Sequence, residues 1–362
     1  MGIECPLWSE RVTNEKRAEY LLFPRVPAVA LKAGRRHTSD TWEAFRQDVS
    51  GLEAQVERLG VVGAPEWFWK ISEEDAKPER EAQEAMRRRP EMKEVFRICD
   101  GLLRQEKLEK LLHAIGMPRP FALRVMDFAW TEIPEYCFTK PEKNGDGADE
   151  LARQLIEALD SREKGAWKAL PEDVWLDTMK CFTRFVGEHY RSTGAYAFDR
   201  SWWTTRQVGA RLFRLGELEY ELRREEDGRS WIALHIPSDT KLTADRLNDS
   251  VARARRFLKE FFPEWAALPM QCHSWLMSPK LRELLPEKSH IVRFQNAFDI
   301  MQVEPESDGA LGWVFNLSAE QLKHVRVETL PEDTTLRRGV KALMLAGGAV
   351  GVARGVLTRE FE

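Results

Sequence analysis

The stretch that decides the fold is Leu212–Pro237, LFRLGELEYELRREEDGRSWIALHIP. Leu218, Tyr220 and Leu222 alternate with Glu217, Glu219 and Glu221, the period of two of a half-buried strand. Phe213 and Leu215 alternate in the other register, which predicts a bulge at Gly216. Glu225-Glu226-Asp227-Gly228 reads as a hairpin turn. The return strand sets Ile232, Leu234 and Ile236 on one face and Trp231, Ala233 and His235 on the other, and Pro237 ends it.

Downstream, helix and strand signals are interleaved. A helix capped by Thr243 carries Leu247, Val251, Ala254, Leu258 and Phe261 on its inner face. A short strand is expected near Met270–Cys272, and Ser278-Pro279 opens a helix with Leu281, Leu284 and Leu285 inward. Two more strands are expected around Phe298–Val303 and Gly312–Phe315, then a long helix from about Pro331 to Leu357.

Upstream of about residue 195 the period is helical. Trp42, Phe45, Val49, Leu52, Val56 and Leu59 fall on one helix face, and Pro78 opens another helix that Pro90 closes. A further helix runs through Val95, Leu103, Leu108 and Leu112 to Gly116, and another from Phe121 to Trp130. The Pro-, Gly- and charge-rich stretch Lys140–Gly147 is the linker candidate. Helices over Asp149–Leu159 and Pro171–Tyr190 follow it, the second with Val174, Trp175, Met179, Phe182, Phe185 and Val186 as a buried stripe. The fold class is therefore α/β in the layered α+β sense: an all-α domain over 1–145, then a mixed sheet flanked by helices over 146–362.

Composition agrees with a chain of several units. The 362 residues exceed one ordinary core. With 55 basic and 59 acidic residues the net charge is −4, which argues against a nucleic-acid partner. Five scattered cysteines make no disulfide framework and point to a reducing cytoplasm. The apolar run Ala342–Ala353 spans about 18 Å as a helix, too short for a bilayer. Gly347, Gly351 and Gly355 recur every four residues in it, the smooth face of a helix packed closely inside the protein or at a homodimer contact. Thirteen tryptophans against five tyrosines are the one compositional oddity. Docked helices and a ligand cleft both use such large, rigid side chains.

Standard catalytic signatures are missing. The sequence has no P-loop, no G-x-G-x-x-G after a strand, no H-E-x-x-H, no paired cysteines and no G-x-S-x-G, so no metal is expected. Two segments are dense in chemistry. Phe198–Gln207 (FDRSWWTTRQ) packs Trp202, Trp203 and Arg206 just before the sheet, either as a structural knot or as a substrate wall. His235–Thr243 (HIPSDTKLT) is a strand-to-helix turn, either an ordinary capped start or a phosphate seat of backbone amides. His235 faces away from the aliphatic stripe and suits a general base, with a hydrogen-bonded sheet histidine as the alternative. Cys272 and Ser274 end the next strand, where a thiol is either a nucleophile or an inert core residue.

Taken together, FDRSWWTTRQ, FRLGELEYEL, HIPSDTKLTADRLNDSVARARRF, CHSWLMSPKLRELLP and SHIVRFQNAFDI, in this order and after LLHAIGMPRPFALRVMDFAW, resemble the GNAT-like acyltransferase-domain proteins of bacteria. The resemblance covers most of the chain. It implies transfer of an acyl group from acetyl-CoA or another acyl-CoA to a small-molecule amine or hydroxyl acceptor. It also implies that pantetheine lies between two splayed strands, Trp231–Ile236 and Met270–Cys272. By the same resemblance Ile236, Ser238, Asp239, Thr240, Lys241 and Thr243 would hold the donor; no family match fixes the base, for which His235 is the candidate here, with Ser274 or Cys272 as acid. Trp202, Trp203, Arg206, Trp231 and Trp275 would line the cleft. The turn departs from the family's glycine-rich phosphate loop, having no glycine and one acid, which leaves a non-catalytic small-ligand or peptide binding module as the alternative.

Overall fold

A computed structural model describes residues 93–133, 141–307 and 309–362, with a few isolated positions before residue 91. The helices expected over Trp42–Leu59 and Pro78–Arg89 lie outside the described residues. Arg97–Glu362 forms one compact unit. Five helices come first: α1 (Lys93–Ala114), α2 (Arg119–Ala129), α3 (Ala148–Lys164), α4 (Glu172–Thr193) and α5 (Ser201–Val208). The sheet region follows as β1 (Leu212–Leu215), β2 (Leu218–Arg224), β3 (Ser230–His235), α6 (Ala244–Phe261), β4 (Met270–Ser274), α7 (Leu281–Leu284), α8 (His290–Asn296), β5 (Phe298–Glu304), α9 (Leu311–Phe315), α10 (Ala319–Lys323), α11 (Thr335–Leu345) and β6 (Val352–Leu357). Helices thus precede a mixed sheet flanked by helices.

The linker candidate is held at its C-terminal end. Phe198 donates its amide to the Asp146 carbonyl (2.8 Å), and Arg124 pairs with the Asp146 carboxylate at 3.2 Å. The stripe on α4 is buried as its spacing predicts: Trp175, Met179, Phe182, Phe185 and Val186 all enter the core. Each such side chain contributes about 1.5–3 kcal/mol of apolar burial. On α1, Leu108, Leu111 and Leu112 are buried, while Val95 and Leu103 stay exposed.

The sheet has six strands in the order β1-β2-β3-β4-β6-β5. Every neighbouring pair is antiparallel except β3 with β4. That one parallel ladder is short, from Ile232↔Met270 to Leu234↔Cys272. One face of β1 and β2 packs on α6, where Ser250 receives the Tyr220 side chain at 3.0 Å. The other face of β1–β3 lies under α4 and α5. Glu219 and Glu221 are therefore buried along with Leu218 and Tyr220.

Three expectations change. Gly216 is not a bulge: it has φ 77° in the tight turn between β1 and β2, where Leu215 pairs with Leu218. A Cβ there would also meet the Ser250 backbone at 3.2 Å. Gly312–Phe315 is not a strand but lies within the helical turn α9. The long C-terminal helix does not form. α11 stops at Leu345, Gly347 and Gly351 adopt φ 79° and 76°, and β6 follows as an inner strand between β4 and β5. Gly355 lies within β6, so the glycine-spaced face offered for a homodimer contact does not exist. Among the described residues no helix is long and apolar enough to cross a membrane.

Candidate active site

Four expected or neighbouring side chains converge where α5 crosses β2 and β3. The Trp203 ring meets the His235 imidazole edge to face, centroids 5.0 Å apart at 84°. Arg206, one turn further along α5, lays its guanidinium over the Trp203 ring at 4.2 Å. Its Nε also pairs with Glu221 Oε1 at 3.1 Å. Glu221 Oε2 lies 2.9 Å from His235 Nε2, and Arg223 approaches Oε1 at 3.3 Å. The Glu221 side chain is 7% exposed and that of His235 25%.

Burial pushes the Glu221 carboxyl up, but the His235 hydrogen bond and charge, with Arg206 and Arg223, outweigh it and hold the group below its ordinary range. An ionised Glu221 can only accept, so Nε2 of His235 carries a hydrogen, which leaves Nδ1 as the ring nitrogen that can exchange a proton with a substrate. Arg206 Nη1 is buried with no hydrogen-bond partner. Glu221 was not among the candidates. Its alternation with leucine and tyrosine reads as a solvent face, and only the helix layer above β2 reverses that.

The turn after β3 is already satisfied by the chain itself. The Thr240 amide donates to the Pro237 carbonyl (3.0 Å) and the Thr243 amide to the Lys241 carbonyl (2.8 Å). The Lys241 amide donates to Glu217 Oε2 at 2.8 Å, and Thr240 Oγ1 donates to the Glu217 carbonyl at 2.8 Å. Arg246 pairs with the second oxygen of the same carboxylate at 2.7 Å. Burial raises the Glu217 carboxyl, and the Lys241 amide, Arg246 and Arg214 together bring it below its ordinary value. Ser238 donates to Glu188 Oε1 at 2.5 Å, and Asp239 takes Arg214 at 3.0 Å. A carboxylate thus sits at the helix start where the resemblance implies a phosphate.

The remaining candidates fall elsewhere. Cys272 is fully buried on the core side of β4, and loss of solvent pushes its thiol up to about 12. No substrate reaches it there, so the acid role expected for it has no support. Ser274 accepts the Leu276 amide at 3.2 Å, and Trp275 packs in a separate apolar cluster with Leu281, Val292 and Val340. Trp231 is half-buried, with Arg354 at 5.9 Å from its ring, while Trp202 is 66% exposed beside Trp203. Ile236 packs partly against the core. A cavity of about 500 Å³ opens between α2, α3 and the 141–149 loop, and none of these residues lines it. Among the described residues no group of three or more His, Cys, Asp or Glu can hold a metal.

The one parallel ladder of the sheet, which ends at Leu234 and Cys272, joins the two strands between which the resemblance implies the donor lies. The N-acyltransferase N-terminal domain family matches residues 68–210, and the GNAT-like C-terminal domain family matches residues 212–357. The chain has the two-domain architecture of the GNAT-like acyltransferases. Among solved structures, an acyltransferase in complex with decanoyl-CoA and teicoplanin is similar at 23% identity. The match covers 71% of this chain and 88% of that one, with a TM-score of 0.60. An acyltransferase in complex with decanoyl-CoA is similar at 25% identity over 77% of this chain and 99% of that one, with a TM-score of 0.58. No curated protein matches the sequence.

Proposed function

We infer that the chain is an acyltransferase that moves an acyl group from an acyl-CoA thioester directly to an amine or hydroxyl acceptor. The observation that carries this reading is His235. It stands at the first position beyond the paired segment of β3 and β4, with Nε2 committed to a buried carboxylate and Nδ1 free to accept a proton. The relatives bound to acyl-CoA support the donor class.

His235 Nδ1 takes the proton of the acceptor as it attacks the thioester carbon, while Glu221 keeps the ring oriented and stabilises the imidazolium. Backbone amides of β3 beyond Leu234 hold the oxyanion. Trp203 and Arg206 wall the acceptor side, and a polar substrate atom satisfies the spare Arg206 donor. Direct transfer demands that both substrates be bound together, and the parted strands supply one line on which they meet.

The test joins binding and turnover. Decanoyl-CoA and acetyl-CoA are added to the purified chain, and Tm and release of free thiol are followed. A ligand at a hundred times its Kd stabilises by about 2.7 kcal/mol. His235→Ala should lose about 10²–10⁴-fold in kcat while keeping the Tm shift; full transfer by that variant overturns the mechanism. The second reading is a binding module without chemistry, which the Glu217 carboxylate in the phosphate turn favours. Absence of a Tm shift across the thioesters would decide for it.

A further inference from the structure

The last rung of the parallel ladder joins Leu234 to Cys272, both turned into the core. The next residue on each strand is a histidine. Successive side chains alternate across a sheet, so His235 and His273 share the face opposite the core. Paired strands lie about 4.8 Å apart, and beyond this rung they are no longer paired. Each histidine sets Nε2 against a glutamate: His235 on Glu221 at 2.9 Å, His273 on Glu304 at 3.3 Å. The surroundings differ. Glu221 is buried among Arg206 and Arg223, while the His273 and Glu304 side chains are 43% and 47% exposed. Arg354 on β6 lies directly across from His273.

We propose that His273 is the acid that protonates the departing thiolate, with Glu304 as its positioning residue. This rests on the acyltransferase reading above. The acceptor nitrogen or oxygen forms a bond to the thioester carbon and gives its proton to His235 Nδ1. The carbon–sulfur bond then breaks, its electron pair leaves on sulfur, and the His273 imidazolium, its Nε2–H turned to Glu304, gives up its Nδ1 proton and becomes neutral. One proton is gained at His235 and one is lost at His273, and exchange with water restores both. Base and acid must flank the reacting carbon, and the two neighbouring strands, no longer paired past this rung, carry one each. The buried partner set of His235 holds its ring in one orientation. The exposed position of His273 lets water return its proton after each turnover. Cys272 is buried, Ser274 alternates onto the same face of β4 with its Oγ accepting the Leu276 amide, and the exposed side chain between them is His273.

The experiment uses the full chain with decanoyl-CoA as donor and ethanolamine in water as acceptor, counting free thiol whichever nucleophile takes the acyl group. His273→Gln should lower kcat by about a hundredfold, the lower end of general-acid effects. The decanoyl thioester of 4-nitrothiophenol releases a thiolate that needs no proton. With it the His273→Gln deficit should shrink to a few-fold, while that of His235→Ala persists. The kcat–pH profile is the second readout. The wild-type rate should fall on the alkaline side, and that fall should vanish in His273→Gln; Glu304 and Arg354 are the charged groups facing His273, as Glu221, Arg206 and Arg223 face His235. An equal deficit with both donors, an unchanged alkaline fall, or a His273→Gln rate equal to wild type overturns the acid role alone. Wild-type protein without turnover on either donor overturns the acyltransferase reading, and this inference with it.

Discussion

Glu221 binds three partners at once, and its removal should be felt in both stability and pH. Breaking a buried charge pair costs about 3–5 kcal/mol, so Glu221→Gln should lower stability by about 3 kcal/mol in urea unfolding at pH 7. The folded carboxyl lies below its ordinary value, so the unfolded state binds the proton first. The stabilisation is complete above about pH 4.3 and is lost as pH falls further through the folded value. The gap between wild type and Glu221→Gln should therefore narrow below pH 4.3; a constant gap would show that ionisation is not its source. His235, Trp203 and Arg206 stood out in the sequence by type and position, and the structure brings them together. Glu221 was not, because Glu-Leu-Glu alternation is identical whether the polar face meets water or a helix. Burial of Glu219 and Glu221 depends on α4 and α5, which arrive from earlier in the chain.

At the level of elements, the turn between β3 and α6 is the clearest departure from the resemblance. Glu217 comes from the neighbouring β1–β2 turn and places its carboxylate against the Lys241 amide and Arg246. A donor phosphate drawn to that helix start competes with it. Glu217→Gln should bind CoA about twofold to fivefold more tightly, the worth of one charge at a helix start, as read by calorimetry. Unchanged affinity would place the phosphates elsewhere. The C-terminal glycines teach a different lesson. A four-residue spacing fits a smooth helix face, yet it also fits turns that happen to recur, and periodicity alone does not separate them. Gly351 has φ 76°, and a Cβ there would stand 2.8 Å from the Glu304 carbonyl oxygen. Gly351→Ala should cost at least about 1–2 kcal/mol from the left-handed backbone alone, seen as a lower Tm. α9 was read as a strand because five residues are too few to display a helical period.

For the whole molecule, alternation and turn signals located the β1–β3 hairpins and β4 from local sequence, whereas the strand order depended on contacts far apart in the chain. β6 enters the sheet between β4 and β5, so the last strand in sequence is an inner strand in space. This has a consequence for synthesis. Some 80 residues separate β4 from β6, or about 4–16 s of translation at 5–20 residues per second. Throughout that interval the nascent sheet exposes one unpaired edge on β4 and cannot yet seat β5. An open edge is a template for pairing with another chain. Messages cut before Val352 should thus yield insoluble product, whereas those that retain β6 should not. The vulnerable interval closes only when β6 emerges and takes its place beside β4.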